Sequence, residues 1–218
     1  MSKIKAVLFD FDGTIMDTNE IILESWRHTF KTVLGRECRD EEVVGTFGEV
    51  LGDSMKMIFP DRDVDEMISI YRSYQHQFYE KEILLCPGIH ELILKLKALG
   101  YLTAIVTSRI ENSTRIGLSK FGLDDKFEAF VSCDDITNFK PDPESCLVAL
   151  RKLGIKADEA IYVGDSKYDI QCAHRAGVKA VLVNWTICLP KDQRVGENKA
   201  DFEIDDPMEL IDILDKLM

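Results

Sequence analysis

The chain has 218 residues, 45% of them apolar and 30% charged, which is enough to fill one generous core and excludes a wholly disordered protein. Its 27 Lys and Arg stand against 39 Asp and Glu, a formal net charge of −12. It therefore lacks the clustered cations with which nucleic-acid binders and anionic-lipid binders meet phosphate. The six cysteines are scattered and include no CxxC pair, and no apolar run approaches the roughly 20 residues that cross a bilayer. These features predict reduced thiols, no membrane segment and a cytoplasmic setting.

In chain order, the first predicted element is a strand over 4–9, a mostly apolar run that ends in Asp10-Phe11-Asp12-Gly13-Thr14. From about 17 to 85 the pattern is helical and no strand is evident. Ile22, Trp26, Phe30 and Val33 make one amphipathic face; Val64, Met67, Ile68, Tyr71, Tyr74 and Phe78 make another. Pro87-Gly88 opens a helix with Ile89, Leu92, Ile93, Leu96 and Leu99 on one stripe, closed by Gly100. A strand over 102–106 ends in Thr107-Ser108, with a helix starting near Glu111. A third strand, 129–131, is followed by Lys140-Pro141. Asp142-Pro143 starts a helix with Leu147, Leu150 and Leu153 on one face before Gly154. The strand at 161–163 runs into Gly164-Asp165-Ser166-Lys167-Tyr168-Asp169, which opens a helix ending at Ala176-Gly177. A last strand is predicted at 180–183 and a polar surface loop at 191–200.

Short, mostly apolar strands alternating with helices require parallel pairing and right-handed crossovers. The predicted fold is α/β: a doubly wound parallel sheet of Rossmann-like form with an inserted all-α segment. The expected division is a core of 1–16 and 86–218 and a helical domain of 17–85 over the sheet's carboxyl edge.

In such a sheet the ligand site lies beyond the carboxyl ends of the strands, and four predicted strand ends carry polar residues. Asp10, rigidly aimed by its strand, is able to accept a phosphoryl group covalently. Asp12 is able to protonate a leaving oxygen and then deprotonate water. An ordinary Asp-Gly turn is the plain alternative, although two carboxylates at the end of an apolar strand repel one another. Asp165 and Asp169 are four apart in a first helical turn. Either Asp165 or Ser166 caps the helix and Asp169 is solvated, or both acids converge on Asp10 and Asp12. Four converging carboxylates with only Lys140 nearby repel a phosphate ester unless a divalent cation is bound, and oxygen donors beside phosphate point to Mg²⁺. Thr107 and Ser108 offer hydroxyls and backbone N–H groups to phosphate, or simply cap the next helix. Lys140 precedes Pro141, which holds it extended, and on its own reads as a solvated surface Lys. Arg109 touches substrate or lies on the surface. The four histidines show no metal spacing.

The set DFDGT, VTS, KP and GDSKYD, in this order and spacing, resembles the four motifs of the haloacid dehalogenase superfamily. The likeness covers the whole chain, and the helical insertion resembles that superfamily's type-1 cap. It implies that Asp10 is the nucleophile, Asp12 the acid and base, and that Thr107 and Ser108 bind phosphate. It also implies that Lys140 touches both phosphate and Asp10. Mg²⁺ would then be held by the carboxylates of Asp10 and Asp165 and the backbone carbonyl of Asp12, with Asp169 supporting its shell. The turn Thr46-Phe47-Gly48-Glu49 resembles the specificity loop, where Gly48 lets backbone approach the site, although a simple interhelical turn also explains it.

NEIILESWRHTF, VDEMISIYRSYQHQFYE and VNWTI are similar to bacterial pyrophosphatases of that superfamily, themselves close to its phosphoglycolate phosphatases. The expected function is Mg²⁺-dependent hydrolysis, through an aspartyl-phosphate, of a phosphoglycolate-type phosphomonoester or inorganic pyrophosphate. A sugar-phosphate mutase, a β-phosphoglucomutase-like isomerase, shares all four motifs; a non-catalytic phosphate-binding module would bind without turnover. The expected partner is a small phosphorylated substrate, with no nucleic acid and no membrane, and the chain is expected to be a monomer or weak homo-oligomer.

Overall fold

Strand β1 (Ala6–Phe9) has no exposed side chain, because helices cover both faces of the sheet whose centre it occupies. The computed structural model describes residues 3–217; positions 1, 2 and 218, which bound the expected core, lie outside them. After β1 come β2 (Met16–Asp17), then α1 (Asn19–Leu34), α2 (Leu51–Ile58) and α3 (Val64–Glu82). The chain returns through β3 (Leu84–Leu85) into α4 (Ile89–Ala98), β4 (Leu102–Val106), α5 (Glu111–Lys120) and β5 (Ala129–Val131). It ends with α6 (Glu144–Leu153), β6 (Ala160–Gly164), α7 (Lys167–Arg175), β7 (Lys179–Val183), β8 (Phe202–Ile204) and α8 (Glu209–Lys216).

The main sheet is parallel throughout, in the order β5-β4-β1-β6-β7-β8. One face packs Val7, Phe9, Ile105 and Val163 against Leu92, Ile93 and Leu96 of α4 and Leu210 and Leu214 of α8. The other packs Leu8, Val106, Tyr162 and Leu182 against Cys146, Ala149 and Leu150 of α6 and Ile170 and Ala173 of α7. Each large apolar side chain so buried contributes about 1.5–3 kcal/mol against the entropy of ordering the chain. Register decides where the polar ends fall. Phe9 pairs with both Ile105 and Val163, so Asp10, the Thr107 loop and the Asp165 loop emerge at one level on the carboxyl edge.

Helices α1 to α3 build a separate apolar cluster around Trp26, Phe30, Met55, Phe59, Met67 and Tyr71. The Trp26 ring lies 5.3 Å from that of Tyr71, edge to face. The segment is not strand-free, however. Met16 pairs with Leu85 and Asp17 with Leu84 in an antiparallel ribbon, so the expected boundary between 16 and 17 falls inside β2. Strand β8 and helix α8 were not predicted and complete the sheet's far edge. Two expected stripes are narrower than their spacing suggested. Leu99 is 50% exposed, because α4 ends at Ala98, and Leu147 is 46% exposed, because α6 turns Cys146, Ala149 and Leu150 inward.

Candidate active site

Asp10 continues β1 beyond its last residue, and its amide still donates to the Val163 carbonyl at 2.9 Å, so its side chain is fixed where the strands end. Lys140 arrives from the loop after β5. Its ammonium donates to Asp10 Oδ1 at 2.7 Å, to Asp169 Oδ1 at 2.7 Å and to the Val106 carbonyl at 2.9 Å. With 2% of its side chain exposed, Lys140 is not the solvated surface Lys that its sequence context allowed. Burial works against its charge, but Asp10 and Asp169 raise its pKa above the usual lysine value.

Asp169 corrects the solvated reading too, being 1% exposed. Ser166 is the N-cap of α7: its hydroxyl accepts from the Asp169 amide, and Asp169 Oδ2 accepts in return from the Ser166 amide at 3.0 Å and hydroxyl at 2.6 Å. Asp169 Oδ1 also accepts from the Tyr162 hydroxyl at 3.1 Å. Asp169 is thus both the N3 member of the capping box and the charge partner of Lys140. Although burial opposes its charge, Lys140 and Ser166 hold Asp169 below the usual carboxylate range.

Asp165, 2% exposed, accepts from the Thr186 hydroxyl at 2.9 Å. Gly13 makes room for it: with φ at +72°, a Cβ at this position would stand 2.0 Å from Asp165 Oδ2. Burial, followed by the neighbouring Asp169, pushes the Asp165 carboxyl up to about 7. Burial also lifts Asp10 well above the carboxylate range; Lys140 pulls it down, while Asp169 and Asp165 push it up. Negative charge here exceeds what Lys140 offsets.

Asp10, Asp165 and Asp169 each place a carboxylate oxygen within 4.8 Å of the others. An all-oxygen set carrying surplus negative charge fits a hard divalent cation such as Mg²⁺. Both Asp169 oxygens are already engaged, so Asp10 and Asp165 are the freer donors. Among the described residues no histidine joins this cluster: His28 stacks on Tyr74 and His174 pairs with Asp201. The sign of the Asp165 shift gives a test. Its folded pKa is raised, so the stability it contributes is full below about 3.8 and is lost as pH rises towards about 7. A divalent cation binds the ionised form, so Mg²⁺ is expected to raise the melting temperature more at about pH 8 than at about pH 5.5. Equal shifts at both would mean that these carboxylates do not hold it.

For Arg109 the sequence left a substrate contact and a surface position open, and it did not disclose the pairing with Asp12. The residue is not on the surface: its side chain is 8% exposed. Nε donates to both Asp12 oxygens, at 3.1 and 2.9 Å, and Nη2 donates to Oδ1 at 2.9 Å. Its guanidinium lies 4.6 Å from the centre of the Tyr79 ring of α3. The only sequence signal was its place directly after Thr107-Ser108; the partner is 97 residues away.

The 46–49 turn meets the core from the helical side. The Ser108 hydroxyl donates to the Gly48 carbonyl at 3.1 Å and the Tyr168 hydroxyl to Glu49 Oε1 at 3.0 Å. Gly48 has φ at +85°, and a Cβ there would sit 2.6 Å from Ser166 Oγ. Between turn and strand ends lies a cavity of about 270 Å³, with Asp10, Asp12 and Thr107 on one side and Trp26, Tyr71 and Gln75 on the other.

Residues 7–183 match the family model described as haloacid dehalogenase-like hydrolase. The chain is 39% identical over 185 residues to "Pyrophosphatase PpaX" of Halalkalibacterium halodurans, covering 85% of this chain and 86% of that one. A solved haloacid dehalogenase-like hydrolase of Streptococcus pneumoniae superposes with a TM-score of 0.85 at 23% identity, over 98% of this chain and 99% of the other. A "predicted phosphoglycolate phosphatase" of Haemophilus somnus gives 0.81 at 24% identity, over 98% and 99%.

Proposed function

The chain belongs to the haloacid dehalogenase-like hydrolase family, and from that premise we propose that it is a Mg²⁺-dependent phosphohydrolase acting through an aspartyl-phosphate. The observation that carries this is Asp10: one oxygen is fixed on Lys140, and the other accepts no hydrogen bond among the described residues while the side chain lines the cavity. In the first step Asp10 attacks phosphorus, the bond to the leaving oxygen breaks, and Asp12 gives that oxygen its proton. Asp12 then takes a proton from the water that attacks the acyl-phosphate, and phosphate departs with Asp10 restored. Lys140 offsets charge on Asp10, and the Thr107 hydroxyl and the Ser108 N–H, ahead of α5, bind the phosphoryl oxygens; the Thr107 N–H is held by the Val131 carbonyl and the Ser108 hydroxyl by that of Gly48. Mg²⁺ would be held by Asp10 and Asp165 with the Asp12 backbone carbonyl, and Asp169 would orient its surroundings; bound there, it supplies positive charge against the phosphoryl oxygens. In this scheme the helical segment 17–85 is a cap over the core of 1–16 and 86–218, seated through Gly48 and excluding water during the first step.

A cavity of about 270 Å³ suits a small substrate, and relatives of this chain are named pyrophosphatases. We assign it inorganic pyrophosphate or a phosphoglycolate-type monoester. No described helix is long and apolar enough to cross a membrane; the cytoplasmic setting and the monomeric or weakly associated state belong to the same proposal. The test is a phosphate-release screen over phosphoglycolate, pyrophosphate and sugar phosphates. Release from one of the first two without a bisphosphate cofactor is the expected result. Isomerisation of a sugar phosphate without release would assign a mutase, and binding without turnover a non-catalytic module.

A further inference from the structure

We propose that Arg109 selects substrates whose leaving group is itself an anion, by exchanging the Asp12 carboxylate for that anion as the substrate enters the cavity. The proposal rests on the phosphohydrolase reading above and names the residue that sets its substrate class. The three bonds from Arg109 engage both oxygens of Asp12. A carboxylate clamped in this way loses its charge pairing with Arg109 once it carries the proton it gives to a leaving group, and so lets the guanidinium go. Releasing it leaves Arg109 to be satisfied, since its side chain is 8% exposed and rests against the Tyr79 ring, where water is a poor substitute.

A second anion resolves the difficulty. If the leaving group carries a carboxylate or a phosphate, Arg109 keeps a partner throughout, and the number of paired charges is conserved. A neutral leaving group offers no replacement, so freeing Asp12 strands a buried cation. The cavity favours the first kind of substrate for another reason. Arg72 of α3 also lines it and has no carboxylate partner among the described residues, in a chain whose net charge is −12. Trp26, Phe47 and Tyr71 form the adjoining wall, and an apolar wall strengthens charge pairing across the cavity.

The experiment compares 2-phosphoglycolate with 2-hydroxyethyl phosphate, which differ in leaving-group charge at similar size, in wild type, Arg109→Met and Arg109→Lys with Mg²⁺ present. Wild type is expected to prefer phosphoglycolate by roughly 100-fold in kcat/KM. Arg109→Met should lose about 100-fold on phosphoglycolate and retain or gain rate on hydroxyethyl phosphate, a crossing that a merely structural role does not produce. Arg109→Lys keeps the charge but not the fork, and the preference should fall to about tenfold. Equal losses on both esters, or an undiminished preference in Arg109→Met, would overturn the proposal. If Arg109→Met does not fold, an undiminished preference in Arg109→Lys overturns it and a reduced one supports it. Equal wild-type rates on both esters would overturn this proposal alone, whereas turnover of neither ester nor pyrophosphate would overturn it together with the phosphohydrolase reading.

Discussion

Asp10→Asn is expected to abolish phosphate release, by at least about 10⁴-fold, while the protein remains folded. The amide oxygen is still able to accept from Lys140, whose ammonium now stands 2.7 Å from Asp10 Oδ1, so the buried cation keeps a neighbour there as well as Asp169 and the Val106 carbonyl. What is lost is the second carboxylate oxygen and its charge, and an amide forms no acyl-phosphate. The lost charge is one the fold disfavours: burial, with Asp169 and Asp165 beside it, lifts the Asp10 carboxyl well above its ordinary range even against Lys140. Removing it should therefore leave the melting temperature of the metal-free protein unchanged or higher. Phosphate release and a thermal melt on the same preparation check both halves. Residual turnover within about tenfold of wild type would remove Asp10 from the role of nucleophile.

Much of this site was legible because its residues sit where strands end. Apolar runs at 4–9, 102–106 and 161–163 predict a parallel sheet, and a parallel sheet brings its carboxyl ends to one edge; the places of Asp10, Thr107 and Asp165 at that edge followed from it, while their roles rested on the resemblance. What the sequence did not disclose depends on contacts across the fold. The choice between a solvated and a buried Asp169 turned on Lys140, which lies 29 residues away. The partnership of Arg109 with Asp12 spans 97 residues and has no periodicity to announce it. The ribbon of β2 and β3 escaped because two-residue strands are too short to carry an alternating pattern. Strand β8, Phe-Glu-Ile, is only three residues long and starts with Phe202 half-buried, so it too offered little contrast with its loop.

Chelation is expected to remove phosphate release completely, Mg²⁺ to restore it, and Ca²⁺ to leave it at least about 100-fold lower. The charges around Asp10 require this. Asp10, Asp12, Asp165 and Asp169, if ionised, bring four negative charges; Lys140 and Arg109 return two positive ones. Lys140 is shared between Asp10 and Asp169 and does not stand free to receive the transferred phosphoryl group, and Arg109 is paired with Asp12 until a leaving-group anion replaces it. Asp165 has no cationic partner within ion-pair distance among the described residues, and burial, followed by the neighbouring Asp169, pushes its carboxyl up to about 7. An incoming dianion would meet a net repulsion that one divalent cation reverses locally. The two ions should differ because of Asp10. Mg²⁺ holds about six oxygens in a strict octahedron at roughly 2.0–2.1 Å, which suits one oxygen from Asp10 and leaves the other to attack. Ca²⁺ accepts about six to eight at roughly 2.3–2.6 Å and readily takes both oxygens of one carboxylate. A nucleophile with both oxygens engaged has none to present to phosphorus. Phosphate release from metal-stripped protein, titrated separately with each ion, is the measurement. Full activity after chelation, or equal rates with the two ions, would mean that the surplus charge at Asp10 and Asp165 is balanced by some other means and that this account of the site is wrong.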